Sequence, residues 1–443
     1  MSTPDRRRFL RHTALWAAAA PVVPVERLAA LHSDASARGA VPPAPANRTV
    51  AGTRPQDAWV ARARAEIPAA TGSVYLQTGG IGPSPDTVMA TVAERLDFQN
   101  RGPADPRYAT DMARIEPDLR AQLGRVFGAG ANEVALTHST SEGISIVAWS
   151  LNWQPGDEVI ISNVEHPANV IPWYVLRDRF GIVIREIDLT AGTSLFGEIR
   201  AHLSPQTRMV SISHVSRNNG RTIPTDESAE LADLLRSRDV RYHLDGAQGP
   251  GCVPTDFRAL GCDCYSTCGH KWLLGPKGTG ALFVRSEVLD DVQLSWAGSH
   301  SHATMDYEGD YTLLPSAARY EFGTRALADF AGFASAVEWM EGIGLERTSD
   351  RIQALVDHAI EAVDATATLS VSSPRARPDR SGVFVLQLPA GCDATDLYND
   401  LRENAGILAS PVKHPRDFRL SIHFFNTRDE IDAAVAAISE RCS

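Results

Sequence analysis

The sequence lacks the features of several protein classes, and each absence excludes something. Its 443 residues include 54 acidic and 43 basic side chains, a formal charge of −11, so no basic surplus exists to neutralise nucleic-acid phosphates. Six cysteines are too few for a disulfide framework in so long a chain. Cys262, Cys264 and Cys268 cluster without zinc-site spacing or a histidine pair, which favours buried thiols over a metal site.

The N-terminal region lacks an apolar run long enough to favour a membrane span, since the stretch from Ala14 to Val25 is short. A basic start precedes it, Arg6-Arg7-Arg8-Phe9-Leu10, and small residues follow, as in an export signal of the twin-arginine type. Asp5 departs mildly from that motif, which more often has Ser or Thr there. We expect a signal over residues 1–37, export to the periplasm or exterior, and a linker over residues 38–57. The alternative is a disordered basic tail.

Strand-like and helix-like segments alternate after the linker. Strands are predicted at 133–137, 158–162, 183–189, 209–215, 241–245 and 281–285, with helices at 142–151, 168–180 and 228–238 between them. Such alternation predicts the α/β class, with a mostly parallel sheet covered by helices on both faces. Ligands of such a sheet bind at the carboxyl ends of its strands.

The C-terminal part has a different pattern and predicts a smaller α+β domain. Strands are predicted at 382–388 and 418–424, and a helix at 394–404. Thr427 and Glu430 form a capping-box pattern for a final helix. We therefore expect a large domain over 58–325, with its N-terminal segment contributing to the small domain, and a small domain over 326–443.

Lys271 and Asp245 indicate the chemistry. Lys271 precedes a tight Gly-Pro turn, and Asp245 ends a hydrophobic strand 26 positions earlier. A lysine that is fixed in position by a turn can form a Schiff base. A carboxylate beside a pyridine nitrogen keeps that ring electron-withdrawing. The pair therefore predicts pyridoxal phosphate on Lys271. Alone, each residue is more often an ordinary surface lysine or a strand-ending turn residue.

Other cofactor contacts follow successive predicted strands in the expected order. The hydroxyl-rich segment 137–143 opens a helix, which suits a phosphate, and His270 adds another donor. His166 follows a strand, where its ring can stack on the cofactor, and Gln248 lies within reach of the ring hydroxyl.

These motifs resemble the class V (cysteine desulfurase-like) branch of the fold-type I pyridoxal phosphate enzymes, and most of all the isopenicillin N epimerase-like aminotransferases. The resemblance spans about Val74 to Ile438 and is carried by residues 75–83, 165–173, 243–248, 270–272 and 419–427. It implies a fold-type I architecture with a seven-stranded-type sheet, and a homodimer with shared active sites.

The resemblance also implies roles for individual residues. Lys271 is the Schiff-base lysine, Asp245 the pyridinium partner, His166 the stacking residue and Gln248 the ring-hydroxyl contact. Thr140, Ser141 and His270 are the implied phosphate contacts. Arg419 is implied to grip the substrate α-carboxylate, as a guanidinium fork suits, and Thr324 to reach the phosphate of the neighbouring subunit.

The sequence departs from this branch at three places. Cys268 stands where relatives often have a serine that contacts the phosphate, and Gln77-Thr78 where they often have Asn with Asn or His. The loop 216–220 aligns only loosely, and no role is assigned there. These departures concern the substrate rather than the cofactor.

The core site by itself is compatible with transamination, racemisation or β-elimination. A persulfide-forming desulfurase is disfavoured, because no cysteine lies between Cys392 and Cys442 and the loop 409–414 lacks one. We expect an exported enzyme of the aminotransferase type that acts on the amino group or α-carbon of an amino-acid-like or peptide-like substrate. Epimerase and carbon–sulfur lyase activities stay as alternatives, and a non-catalytic binding protein is a remote one. Transamination after export requires an exported amino-group acceptor, whereas the other two reactions do not.

Overall fold

The computed structural model describes residues 58–190 and 193–443. The predicted signal, residues 1–37, and the predicted linker, residues 38–57, lie outside the described residues. In the described part, no helix is both long enough and apolar enough to cross a membrane.

The described helices and strands begin and end as follows. The helices are α1 (Ala58–Ala65), α2 (Pro68–Gly72), α3 (Asp86–Arg101), α4 (Tyr108–Val126), α5 (Thr140–Ala148), α6 (Ile171–Phe180), α7 (Leu195–His202), α8 (Thr225–Arg236), α9 (Phe257–Leu260), α10 (Leu327–Ile343), α11 (Leu345–Asp364), α12 (Ala394–Asp400) and α13 (Arg428–Arg441). The strands are β1 (Val74–Tyr75), β2 (Val134–Thr137), β3 (Glu158–Ser162), β4 (Val183–Ile187), β5 (Thr207–Ser213), β6 (Arg241–Asp245), β7 (Cys264–Cys268), β8 (Gly280–Val284), β9 (His302–Met305), β10 (Tyr311–Leu313), β11 (Ser370–Val371), β12 (Val383–Gln387), β13 (Ile407–Leu408), β14 (Ser410–Pro411) and β15 (Asp417–Ser421).

Seven strands form one sheet in the order β2-β8-β7-β6-β5-β3-β4. The five strands from β7 to β4 are parallel, and β8 runs antiparallel to both β2 and β7. The predicted α/β class with a mostly parallel sheet is therefore confirmed. Strand β7 was not predicted, because its residues Cys-Tyr-Ser-Thr-Cys are all buried and show no alternation.

The sheet is covered on both faces. Successive side chains of β5 enter different cores: Met209 packs with Trp173 on one face, whereas Val210 packs with Phe333 on the other. This follows from the two-residue period of a strand, and it leaves the strand ends free to carry polar residues.

A second sheet, with the order β11-β12-β15-β14, is antiparallel throughout. Its core includes Phe384, Ile352 and Ile431, and residues of the N-terminal segment such as Ile67 pack into the same core. Strand β1 pairs with β13 beside it. Helix α10 contributes to this core as well as to that of the large sheet, and the boundary at 325/326 stays a prediction.

Two predictions for the C-terminal part concern helices: the capping box at Thr427 and the helix over residues 394–404. The Thr427 hydroxyl accepts from the Glu430 amide at 3.2 Å, and the Glu430 carboxylate accepts from the Thr427 amide at 3.0 Å, which confirms the capping box. The predicted helix 394–404 ends earlier, at Asp400, and continues as a π-helical turn over Leu401–Ala405.

The cysteines fall into two groups. Cys252, Cys262, Cys264 and Cys268 are free and buried, as expected for the cluster. Cys392 and Cys442 form a disulfide that joins the segment before α12 to the end of α13. This bond was not predicted, since the two residues lie 50 positions apart and no spacing pattern connects them. Within the described residues, no cluster of His, Cys, Asp or Glu could hold a metal ion.

Candidate active site

A cavity of about 290 Å³ opens at the carboxyl ends of the central strands. It is lined by Gly79, Gly80, Ser139, Thr140, Ser141, His166, Ala168, Arg217, Asp245, Ala247, Gln248, Cys268, His270, Lys271 and Arg419. The tertiary structure therefore brings together eight of the nine predicted site residues, all except Thr324.

Asp245 ends strand β6 and is only 3% exposed. Its carboxylate accepts a hydrogen bond from the Ala247 amide at 2.9 Å, which orients it. Gly246 has to follow, because a Cβ atom there would lie 2.0 Å from the Tyr265 ring. Burial raises the pKa of Asp245, while the nearby charge of Lys271 lowers it. A protonated ring nitrogen is the partner that would offset the cost of burying this carboxylate.

Lys271 lies in a tight turn directly after β7. The turn is closed by the Gly275 amide, which donates to the Gly269 carbonyl at 2.8 Å, and Leu274 has a φ of +58°, which is strained for leucine. The N-terminal segment packs closely on it, since a Cβ atom on Gly82 would lie 2.0 Å from the Lys271 carbonyl oxygen. The lysine is thus held at the cavity by its backbone.

His166 follows β3 and lines the cavity. Its Nδ1 accepts a hydrogen bond from the Ala168 amide at 3.0 Å, which fixes the ring orientation. Burial, together with the positive charges of Lys271, Arg217 and Arg419, lowers the pKa of His166 to about 4. The ring is therefore neutral at physiological pH, as suits a residue that stacks on a cofactor.

The predicted phosphate contacts lie at the N-terminus of α5 and beside Lys271. Thr140 Oγ1 and His270 Nδ1 are buried and have no hydrogen-bond partner among the described residues. Ser139 is occupied as the helix cap, because its hydroxyl accepts from the Glu142 amide. An unsatisfied hydroxyl at a helix N-terminus and an unsatisfied histidine nitrogen beside Lys271 fit a phosphate group.

Cys268, the departure from the related serine, has a thiol that donates to the Ala247 carbonyl at 3.8 Å. Burial raises the pKa of this thiol. The Thr140 hydroxyl lies near enough to favour the thiolate slightly, yet it forms no hydrogen bond to the sulfur. Cys268 therefore contacts the loop after β6, and Thr140, Ser141 and His270 remain the predicted phosphate contacts.

Gln248 is buried and held at both ends of its amide. Its Nε2 donates to the Gly79 carbonyl at 2.8 Å, and its Oε1 accepts from Trp272 Nε1 at 2.7 Å. The second N–H of Nε2 remains available for the predicted contact with the ring hydroxyl.

Arg419 comes from the other sheet, on strand β15, and is 2% exposed. Its Nη2 donates to Gln77 Oε1 at 3.3 Å, its Nε has no partner, and no carboxylate of the described chain lies within ion-pair distance. Burial and the charge of Arg217 lower its pKa to about 9. A buried guanidinium without a counter-ion fits the predicted role of binding a substrate carboxylate. Gln77, expected on the substrate side, is the residue that steadies it.

Thr324 was predicted to belong to the site, whereas Arg217 was not. Thr324 is exposed and lies outside this cavity, so its predicted contact with the neighbouring subunit stays a prediction. Arg217 lines the cavity, although no role was assigned to its loop. The strand order explains its position. Because β5 lies between β3 and β6 in the sheet, the loop that follows β5 must open on the same cavity as the ends of those two strands.

The residues present fit pyridoxal phosphate. The buried acid Asp245 could pair with a ring nitrogen, Lys271 lines the same cavity, and the unpartnered polar atoms of Thr140 and His270 suit a phosphate. In that arrangement Asp245, Lys271 and His166 would hold the ring, while Thr140, Ser141 and His270 would hold the phosphate.

Known proteins resemble this chain over most of its length. A cysteine desulfurase from Klebsiella pneumoniae (strain 342) is 32% identical over 408 residues, which cover 86% of this chain and 97% of that protein. An isopenicillin N epimerase from Streptomyces clavuligerus is 29% identical over 388 residues, covering 82% and 94%. A solved mutant structure of C-DES, with glycine covalently linked to its pyridoxal phosphate cofactor, has a TM-score of 0.80 at 25% identity and covers 85% of this chain and 99% of that one.

The family model described as aminotransferase class-V matches residues 74–434, which include the whole cavity. The match confirms the resemblance expected from the sequence motifs, and with it pyridoxal phosphate as the cofactor. On the strength of this match and of the site that carries it, the chain belongs to the aminotransferase class-V family of pyridoxal phosphate-dependent enzymes.

Proposed function

We propose that this protein is an exported pyridoxal phosphate-dependent enzyme that acts at the amino group of an amino-acid-like substrate, with transamination as its reaction. The supporting observation is the set of proton carriers in the cavity. Burial lowers the pKa of both His166 and His270 to about 4, and raises the pKa of the Cys268 thiol. Of the described lining residues, Lys271 is then the group best suited to move a proton at the substrate α-carbon.

The roles of the other residues follow from their positions. When bound, the cofactor supplies an electron sink for the bond that breaks at the α-carbon. Arg419 binds the substrate α-carboxylate, and Gln77 orients the guanidinium. Asp245 keeps a positive charge at the far end of the ring. Transamination would need one proton carrier that serves two carbons on the same face, the substrate α-carbon and the aldehyde carbon of the cofactor on the other side of the amino nitrogen. A single mobile lysine suits this.

Persulfide-forming desulfurase activity is disfavoured, although several relatives are named as cysteine desulfurases. The segment 409–414, which includes the short strand β14, contains no cysteine, and Cys392 and Cys442 are bonded to each other. Cys268 is the thiol that lines the cavity, but its raised pKa and its hydrogen bond to Ala247 oppose nucleophilic attack.

Epimerisation and direct carbon–sulfur cleavage are second candidates. The relative named isopenicillin N epimerase favours the first, and the fold of the cystine C–S lyase C-DES, with a TM-score of 0.79, is compatible with the second. Epimerisation has to return the proton to the opposite face. His166 is a weak base for that step, because its pKa is low and its Nδ1 already accepts a hydrogen bond.

Export is supported by two independent features. The segment Arg6-Arg7-Arg8-Phe9-Leu10 resembles a twin-arginine signal. Disulfides such as Cys392–Cys442 persist in oxidising compartments and are rare in the cytosol. Twin-arginine export carries folded proteins, so the cofactor can be inserted before the protein leaves the cytoplasm.

A homodimer with shared sites is also part of the proposal. Trp296, with 58% of its surface exposed, lies beside the ring of Phe322 at 6.4 Å, and Tyr307 on the β9–β10 hairpin is fully exposed. Exposed aromatic residues of this kind mark an interface, and Thr324 lies two residues beyond Phe322. Sedimentation equilibrium should give twice the chain mass, and a monomer at micromolar concentration contradicts the proposal.

Product analysis tests the reaction. Cofactor-loaded protein is incubated with amino acids and a 2-oxo acid acceptor, and transamination predicts one 2-oxo acid formed for each acceptor aminated. An inverted stereocentre without an oxo acid identifies an epimerase, and a released thiol identifies a lyase; either result contradicts transamination.

Lys271→Ala provides the test of the cofactor site. The variant should lose the visible absorbance of the loaded protein, and its activity should fall on the order of 10²–10⁴-fold. Lys277→Ala is the matched control, because Lys277 is exposed six positions further on and outside the cavity. An unchanged spectrum in Lys271→Ala contradicts the assignment.

A further inference from the structure

The charges that line the cavity are unbalanced. Arg217, Lys271 and Arg419 contribute three cationic side chains, whereas Asp245 is the single carboxylate among the described lining residues. Neither Arg217 nor Arg419 forms an ion pair with any described carboxylate. Burying a charge without a partner is costly, so each arginine indicates an anion that comes from outside the protein.

Arg217 is held in place by its loop rather than extended from a flexible surface segment. Ser216 and Asn218 on either side of it are buried, and Asn218 Nδ2 donates to the Val164 carbonyl at 2.9 Å. Gly220 closes the loop with a φ of +73°, and a Cβ atom there would lie 1.9 Å from the Val383 carbonyl oxygen. The backbone on both sides of Arg217 is therefore held in place.

The other anions of the site already have their own partners. The phosphate fits Thr140 and His270, whose buried polar atoms are unpartnered. The α-carboxylate fits Arg419, which Gln77 steadies. Arg217 is half-buried, and its charge acts on both His166 and Arg419, so it lies on the substrate side of the cavity.

We propose that Arg217 binds a second anionic group, on the side chain of the substrate, and that the enzyme therefore prefers amino acids with an acidic side chain, the dicarboxylic α-amino acids. This inference rests on the proposed function, since it takes the α-carboxylate to be bound by Arg419. A guanidinium fork is suited to a second carboxylate, because it offers paired donors in one plane.

Calorimetry with non-reacting probes tests the inference on the cofactor-loaded protein. Succinate, glutarate and adipate are each compared with their own monoamide, which keeps the length and removes one charge. At least one diacid should bind about tenfold or more tightly than its monoamide, as a charge-assisted hydrogen bond supports. Arg217→Gln should remove that preference and change monoamide binding less than about twofold, and Arg217→Lys should keep part of it.

Arg221→Gln is the matched control, because Arg221 belongs to the same loop but contacts Thr193 outside the cavity. It should leave every affinity unchanged. The proposal is overturned if no diacid is preferred, if Arg217→Gln keeps the preference, or if diacid and monoamide lose affinity equally, which would place both arginines on one carboxylate. Loss of cofactor from Arg217→Gln overturns it too, by assigning Arg217 to the phosphate.

The probes do not react, so these affinities are independent of the reaction. A failure of transamination in the product analysis leaves the diacid preference to be judged on its own.

Discussion

The two sheets contribute to the cavity in different ways. In the large sheet, four neighbouring strands each supply a residue from the end or from the loop beyond it: β3 is followed by His166, β5 by Arg217, β6 ends at Asp245, and β7 leads to Lys271. The small sheet contributes Arg419 from within a strand, and its partner Gln77 lies 342 residues away in the sequence.

This difference separates the residues that would hold the cofactor from Arg419, the proposed ligand of the substrate α-carboxylate. Arg217 is the large-sheet residue on the substrate side. The large sheet places its residues by a general rule of parallel sheets, and the N-terminal segment adds contacts at Lys271 and Gln248. The substrate side depends on the small sheet and the N-terminal segment packing against the large one. Changes in the small sheet should therefore alter substrate binding while the cofactor stays bound.

Among the changes that compare the two sheets, Asp245→Asn on the cofactor side is expected to have the largest effect. Activity should fall on the order of 10²–10³-fold, because the electrostatic support of the ring nitrogen is lost. In the cofactor-free protein, by contrast, the same substitution should raise the free energy of unfolding. Burial raises the pKa of Asp245, so its charged form opposes folding above the unfolded pKa of about 3.9.

The asparagine variant should therefore be more stable than the parent near neutral pH, with the gain vanishing below about pH 4. Activity assays and denaturant unfolding at several pH values measure both effects. Asp263→Asn is the control for activity, since Asp263 is a buried carboxylate at the amino ends of the central strands, opposite the cavity. A loss of activity in Asp263→Asn as large as in Asp245→Asn contradicts the specific role of Asp245.

An intermediate effect is expected from removing the disulfide beside the small sheet. Replacing Cys392 and Cys442 by serine should lower the free energy of unfolding by about 2–4 kcal/mol, because the bond closes a 50-residue loop. Denaturant unfolding with and without reductant measures it. Reductant should lower the free energy of unfolding of the parent protein and leave that of the double variant unchanged. If reductant does not affect the parent protein, the disulfide does not contribute to stability as expected.

The smallest effect is expected from Arg419→Gln, and it should concern substrate binding. KM should rise about 10- to 100-fold with a smaller change in kcat, since a charge-assisted contact to the carboxylate is lost. The visible absorbance of the bound cofactor should persist. Arg416→Gln, an exposed arginine on the same segment, is the matched control. Loss of the cofactor from Arg419→Gln would refute the division between the two sheets.

The strand-end residues could be predicted because their signals are local. Asp245 closes a hydrophobic strand and Lys271 precedes a Gly-Pro turn, so a short segment of sequence suffices for each. Arg217 could not be assigned, because its loop follows no familiar motif and strand order is not evident from sequence. The disulfide was missed for a similar reason, since the proximity of Cys392 and Cys442 depends on how two helices pack.

The fold class, the family and the cofactor could be predicted without a structure, because each depends on short sequence patterns with strong local physics. Which charges face one another depends on the tertiary structure. It placed Arg217 beside Arg419 without a carboxylate between them. That juxtaposition joins segments about two hundred residues apart, and electrostatic balance is a property of neighbours in space rather than in sequence.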